Sequence, residues 1–161
     1  MLNLSMESER PQIIVLPSTA VHVRALAANL RPADQNEIEI YGFPTNKALW
    51  RSFKASFLRH TAFIDNEIAA MWGVGGSPMG QMGQPWLMTT EAVKKISPLA
   101  FARIYQREVL RMLNVFPVLI NYVDAEYTAA VRLLDIVGFN LGEPEPLGKN
   151  GALFRQFEMR V

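Results

Sequence analysis

PWLMTTEAVKKISPLAFARIYQREVLRMLNVFPVLINYVD, residues 85–124, divides into three parts. Residues 85–90 carry the apolar and β-branched side chains of a strand. Ser97 followed by Pro98 starts a helix, because proline suits the first helical position, where no amide donor is needed. That helix reaches about residue 113, and residues 118–123 are an apolar strand. A strand–helix–strand crossover of this length makes its two strands parallel and right-handed. In such sheets ligands gather at the carboxyl ends of the parallel strands. Here those ends are Thr89-Thr90 and Val123-Asp124.

Upstream, residues 57–64 and 68–74 alternate as two strands joined by a two-residue turn, Asp65-Asn66. That hairpin is antiparallel, so the sheet is mixed and the class is α/β (α+β), a central sheet of about six to seven strands flanked by helices. Earlier still, residues 13–16 form a short strand closed by Pro17. Ser18 caps a helix carrying Val21, Val23, Leu26, Ala27 and Leu30, which stops near Arg31-Pro32. Residues 34–41 make a second helix closed by Gly42, and Thr45 caps a third with Leu49, Trp50 and Phe53 on one side. Residues 75–84, GGSPMGQMGQ, are a loop by composition. Downstream, Asp124 caps a last helix that ends at Gly138-Phe139, glycine taking the left-handed position. Two closing strands near residues 139–141 and 152–157 flank GEPEPLGKNG. Residues 1–10 are polar and aperiodic, a flexible arm, and residues 11–161 form one domain.

Composition narrows the function classes. The chain has 161 residues, half of them hydrophobic and 19% charged, which is enough to fill a core. Sixteen Lys+Arg against fifteen Asp+Glu leave a net charge of +1. That balance offers no basic face for nucleic acid. Without cysteine there are no disulfides, thiolate nucleophiles, zinc fingers or iron–sulfur ligands. His22 and His60 are too few for most histidine metal sites, so no metal is expected. Residues 1–10 lack the basic start and apolar stretch of a secretion signal, and no window reaches membrane-span length; an intracellular, soluble protein is the expectation.

Candidate chemistry is sparse. Gly75 and Gly80 have the spacing of a phosphate loop, but Gln81-Met82 stand where Lys and Ser/Thr are required. No serine sits in a Gly-x-Ser-x-Gly elbow. His22 and His60 lie in regular elements and read as packing residues. Asp34, Glu37 and Glu39 read as solvated charge near a helix start, complementing its dipole. Glu67 and Glu91 border strands and can face a cleft. Arg103, Arg107 and Arg111 recur every four residues and read as a solvated helix face, with a docking or nucleic-acid surface as the alternative. Lys94 and Lys95 precede the Ser97-Pro98 cap. With the free amides of a helix start they make a candidate phosphate site, or else two surface lysines in a loop.

With the elements in this order, the sequence resembles the GNAT superfamily of N-acetyltransferases. Val123, Ala130, Leu133 and Gly138-Phe139 fall in register with that family's fifth strand, following helix and Gly-Phe ending, and residues 13–158 can be laid on its fold. More narrowly, ADQNEIEIYGFP, GQPWLMTT, FPVLINYVD and the VGF ending are similar to small GNAT-like proteins of tailed phages, including internal virion protein A of short-tailed phages. The resemblance implies splayed fourth and fifth strands that hold the pantetheine arm of acetyl-CoA. It implies a glycine-bearing loop on the pyrophosphate, a base for the amine, and a helix tyrosine as acid. It implies no metal. The sequence departs from the pattern at three places. EAVKKI between Thr90 and Ser97 has no glycine, Leu134 takes the register of the tyrosine, and Tyr127 stands where an asparagine is expected. The expected cofactor residues are Met88, Thr89 and Thr90 through their backbone, with Lys94, Lys95 and Ser97 replacing the glycine loop. The candidate catalytic residues are Tyr127, Tyr122 and Glu67. Two functions follow: an acyl-CoA-dependent N-acyltransferase with a modified site, or a non-catalytic GNAT-fold phage protein of virion assembly or host interaction. They imply a location in the host cytoplasm or the virion, and phage or host proteins as partners.

Overall fold

Asp65 and Asn66 both adopt left-handed backbone, at φ of 50° and 64°, the geometry of a tight hairpin turn whose twist matches its strands. The computed structural model describes residues 9–77 and 79–161. In chain order these form β1 (Ile13–Pro17), α1 (Ala20–Asn29), α2 (Pro32–Tyr41), α3 (Thr45–Ala55), β2 (Ser56–Ile64), β3 (Glu67–Gly75) and β4 (Met82–Thr89). There follow α4 (Pro98–Val115), β5 (Val118–Asp124), α5 (Thr128–Val137), β6 (Asn140–Leu141) and β7 (Phe154–Arg160). The strands make one sheet in the order β1-β2-β3-β4-β5-β7-β6, antiparallel except for the β4–β5 pair. The mixed sheet flanked by helices is therefore as the sequence predicts. Most of the expected arm, residues 1–8, lies outside the described residues.

The sheet separates two apolar layers. On one side α1, α2 and α3 pack Val23, Leu26, Ile38, Leu49 and Phe53 against Met71. On the other, α4 and α5 pack Phe101, Tyr105, Val109, Met112 and Val137 against Trp72 and Val74. The alternation of Met71 and Trp72 to opposite faces is that of a central strand covered on both sides. Trp72 needs a partner for its indole N–H and donates it to the buried Glu108 of α4 at 3.3 Å.

Several local expectations shift, each for a physical reason. Thr19, not Ser18, caps α1, accepting from the His22 amide, while His22 returns its ring nitrogen to the Thr19 amide. The Ser18 hydroxyl meets Thr61 instead, at 2.8 Å. Pro44 rather than Thr45 precedes α3. Asp124 does not cap α5: its carboxylate accepts from the Glu126 amide, and Tyr127 is the residue before that helix. The glycine-rich loop is shorter than predicted, because β4 begins at Met82. Residues 91–95 form a turn of 3-10 helix rather than open loop. The last strand lies two residues later than predicted, at Phe154–Arg160.

Glycines decide how β4 begins. A Cβ on Gly83 would lie 2.7 Å from both Phe116 and Val74, so the Phe116 ring fills the place of a side chain there. The parallel pairing of β4 and β5 is confined to this end, Met82 with Val118 and Gly83 with Leu119.

Candidate active site

The backbone of β4 alternates, and the alternation sets up the site. Thr90 donates to Ala69 of β3, so even-numbered residues turn their amide and carbonyl toward β3. Odd-numbered residues face β5: the Gln81 carbonyl accepts from the Val118 amide at 3.1 Å. Pro85 is the next odd position after Gly83, and proline has no donor to continue a ladder. Its carbonyl is met by the Asn121 side chain at 2.9 Å, and beyond it β4 and β5 separate. Leu87 is the following odd position. Its amide and carbonyl face the gap with no partner among the described residues. Thr89 is the last, and both its groups are taken: its amide donates to Asp34, and its carbonyl accepts from the Arg31 amide.

The gap opens into a cavity of about 490 Å³, mostly apolar, walled by β4, β5 and the facing sides of α4 and α5. Arg31, Asp34, Glu37 and Tyr127 meet at the carboxyl ends of the strands. The start of α2 is docked there through Arg31, which places Asp34, in the first turn of α2, against β4. The Asp34 carboxylate accepts from the Thr89 hydroxyl at 2.6 Å, and Tyr127 lines the same corner. Glu37, one helical turn on, accepts from the Asp124 amide at 3.0 Å.

Burial dominates the electrostatics of this corner. It raises the Asp34 carboxyl to about 6, against the opposing pull of the Thr89 bonds and Arg31. Burial likewise raises Glu37 to about 7, with the negative charges of Asp34 and Asp124 adding to it. Tyr127 is pushed up to about 12 by burial and by the Asp34 charge. Glu37 is thus a carboxylate poised to exchange a proton near neutrality. The expectation of solvated helix-start charge is overturned for Asp34 and Glu37, because α2 turns both inward; Glu39 is exposed. A carboxylate pair three residues apart, just after Arg-Pro, was the available signal.

Other expected residues fall in different places. Tyr122 and Met88 border the cavity, but the Met88 backbone faces β3, as does that of Thr90, so neither offers it to the gap. Leu87, which the sequence reading passed over, is the residue that does. Glu67 lies away from the cavity and pairs with Lys95 at 3.2 Å. Lys94 borders the cavity and pairs with Glu91 at 2.6 Å. The Ser97 hydroxyl caps α4 by accepting from Ala100. In the turn before it, the amides of Ala92, Val93 and Ile96 are bonded within the segment. Arg103, Arg107 and Arg111 are exposed, as read from their spacing, and Arg111 bonds Glu108. His22 packs edge-on against Phe63, and its pKa is lowered by burial.

Parallel strands that part after two residue pairs, over an apolar cavity crossed by one long helix, match a well-populated set of solved structures. A ribosomal-protein-alanine N-acetyltransferase from Brucella melitensis superposes with a TM-score of 0.65 at 16% identity, covering 92% of this chain and 99% of that one. Spermidine N-acetyltransferase from Vibrio cholerae, solved with CoA and spermine, gives 0.69 at 8% identity over 92% and 95% of the two chains. YncA from Salmonella typhimurium, solved with its cofactor acetyl-CoA, gives 0.66 at 12% identity over 92% and 93%. This is the GNAT acyl-CoA N-acyltransferase fold. No protein-family model matches the sequence, and no curated protein matches it. Leu134 is a buried apolar wall of the cavity. No group of three His, Asp or Glu able to hold a metal ion occurs among the described residues, and no described helix is long and apolar enough to cross a membrane.

Proposed function

We propose that the chain is an acyl-CoA-dependent N-acyltransferase whose acceptor is an amine. The observation that carries this reading is the unpaired Leu87 backbone facing an apolar cavity that ends at Glu37 and Asp34. A pantetheine arm offers amides that complement one free N–H and one free C=O, so Leu87 would hold it as an extra strand. The apolar walls from α4 and α5 would cover its length. The nucleotide end has no glycine cradle here; beside Arg31 at the acidic corner, Lys94 and the exposed Arg132 are the other cations on that cavity. An acyl-CoA supplies an activated acyl group as a thioester.

The protein's own groups supply the rest. An amine reaches the site as an ammonium, which cannot attack. Glu37, with its carboxyl at about 7, accepts that proton, and the neighbouring Asp34 and Asp124 charges strengthen its basicity. Tyr127 lines the same corner as Asp34, and burial and the Asp34 charge raise its phenol. A phenol at about 12 is a poorer acid than an ordinary phenol at roughly 10, so Tyr127 is a positioning residue rather than the proton donor. Tyr122, on the cavity wall from β5, is the phenol left to meet a departing thiolate.

The second reading is a non-catalytic GNAT-fold protein of phage assembly or host interaction. Leu134 in the tyrosine register and the internally bonded turn of residues 91–96 favour it. Calorimetry with acetyl-CoA and with CoA separates the two. Binding that Leu87→Pro abolishes, followed by acetylation of an amine detected by mass spectrometry, supports the transferase. Absence of any CoA binding removes it and leaves the second.

A further inference from the structure

The sheet has an unguarded edge. In β1 the amide of Asp65 donates to Gln12, and that of Ser18 donates to Arg59, so the backbone of residues 12, 14, 16 and 18 is the part that faces β2. The amides of Ile13 and Val15, and the carbonyls of Ile13, Val15 and Pro17, point outward with no partner among the described residues. Ile13, Ile14, Val15 and Leu16 are 38%, 37%, 36% and 45% exposed, so both faces of this edge are apolar and accessible. Proteins normally blunt such an edge with charge, a bulge or a cover. Ile13–Leu16 has no charge, its pairing with β2 runs without a bulge, and no other strand among the described residues covers it.

From this edge we infer that two copies of the chain pair through β1, antiparallel, about a twofold axis at Ile14. The backbone pattern permits this self-pairing, and the side chains set its register. Outward groups on Ile13 and Val15 allow Ile13 of one copy to exchange two hydrogen bonds with Val15 of the other, and the twofold repeats the exchange, giving four. A register centred on Val15 also makes four, two between the Val15 copies and one from each Ile13 amide to a Pro17 carbonyl, but it lays Ile13 against a proline ring. The favoured register lays β-branched Ile13 against Val15 and Ile14 against its own copy, the cross-strand pairs that stabilise sheets. The strand carries no charge, so meeting its own copy incurs no like-charge repulsion. Pro11 and Pro17 bracket the segment and limit the pairing to its length. Five residues on each side make a small interface, so the dimer forms reversibly in the micromolar range or weaker.

Sedimentation equilibrium of the full chain over about 5–500 µM tests this, a range suited to small interfaces. The expected result is a concentration-dependent monomer–dimer equilibrium. Val15→Pro deletes an amide that serves the outer edge and not the β1–β2 ladder. Ile14→Glu sets two carboxylates together on the axis. Each is expected to weaken association at least tenfold, while thermal unfolding at low concentration stays close to wild type. A wild type that remains monomeric throughout overturns the proposal, as does a dimer that both variants leave intact.

Discussion

Glu37 concentrates the chemistry in one side chain, and its substitution gives the sharpest prediction. Glu37→Gln keeps an acceptor for the Asp124 amide but cannot take a proton. Acyl transfer is expected to fall by about 10²–10³, within the usual range for a general base. In the wild type the rate should rise with pH through about 7, and that limb should vanish in the variant. Tyr127→Phe should behave differently. It removes a polar group beside Asp34 in the cavity corner, so a loss of about tenfold that spares the limb near pH 7 is expected in steady-state rates at several pH values. A loss of the limb itself would assign proton transfer to Tyr127. Residue types and spacing in the sequence could not decide these roles. Asp34 and Glu37 have the profile of helix-start acids, and only the docking of Arg31 onto the Thr89 carbonyl turns them inward. Glu67 has the same profile beside a strand, and the hairpin carries it away from the cavity to Lys95.

At the scale of elements, the reading of the chain succeeded where one periodicity ruled. The crossover from β4 through α4 to β5, the Asp65-Asn66 turn and the Gly42 and Gly138 helix ends all follow from local chemistry. What was not legible is which odd or even residues of β4 face the gap, because that depends on register with β3. Met88 and Thr90 are the residues expected to turn backbone to the gap; one step along the strand, Leu87 faces it instead. The start of β4 was missed because glycines read as loop. Gly83 is glycine for Phe116, and Gly83→Ala should cost about 1–3 kcal/mol by overpacking, measured by denaturant unfolding. Because that contact closes the narrow end of the gap, the same variant should also weaken any CoA binding.

For the whole molecule, the buried acids set a pH trend. Asp34 and Glu37 sit at about 6 and about 7, above their usual values, so the native state holds more protons than the unfolded chain between about pH 4 and pH 7. Their contribution to stability is complete below that window and is lost as pH rises through it. Against wild type, the double variant Asp34→Asn/Glu37→Gln should gain about 1–3 kcal/mol at pH 8 and little at pH 4, read from unfolding midpoints at both. A site that destabilises its own fold at working pH is the common signature of function. The parting of β4 from β5 has a consequence for isotope exchange as well. One backbone amide in the middle of the sheet, that of Leu87, is left open to water, flanked by neighbours locked into β3. It should swap its proton for deuterium far faster than Trp86 or Met88, and a bound thioester arm should slow that single position more than any other.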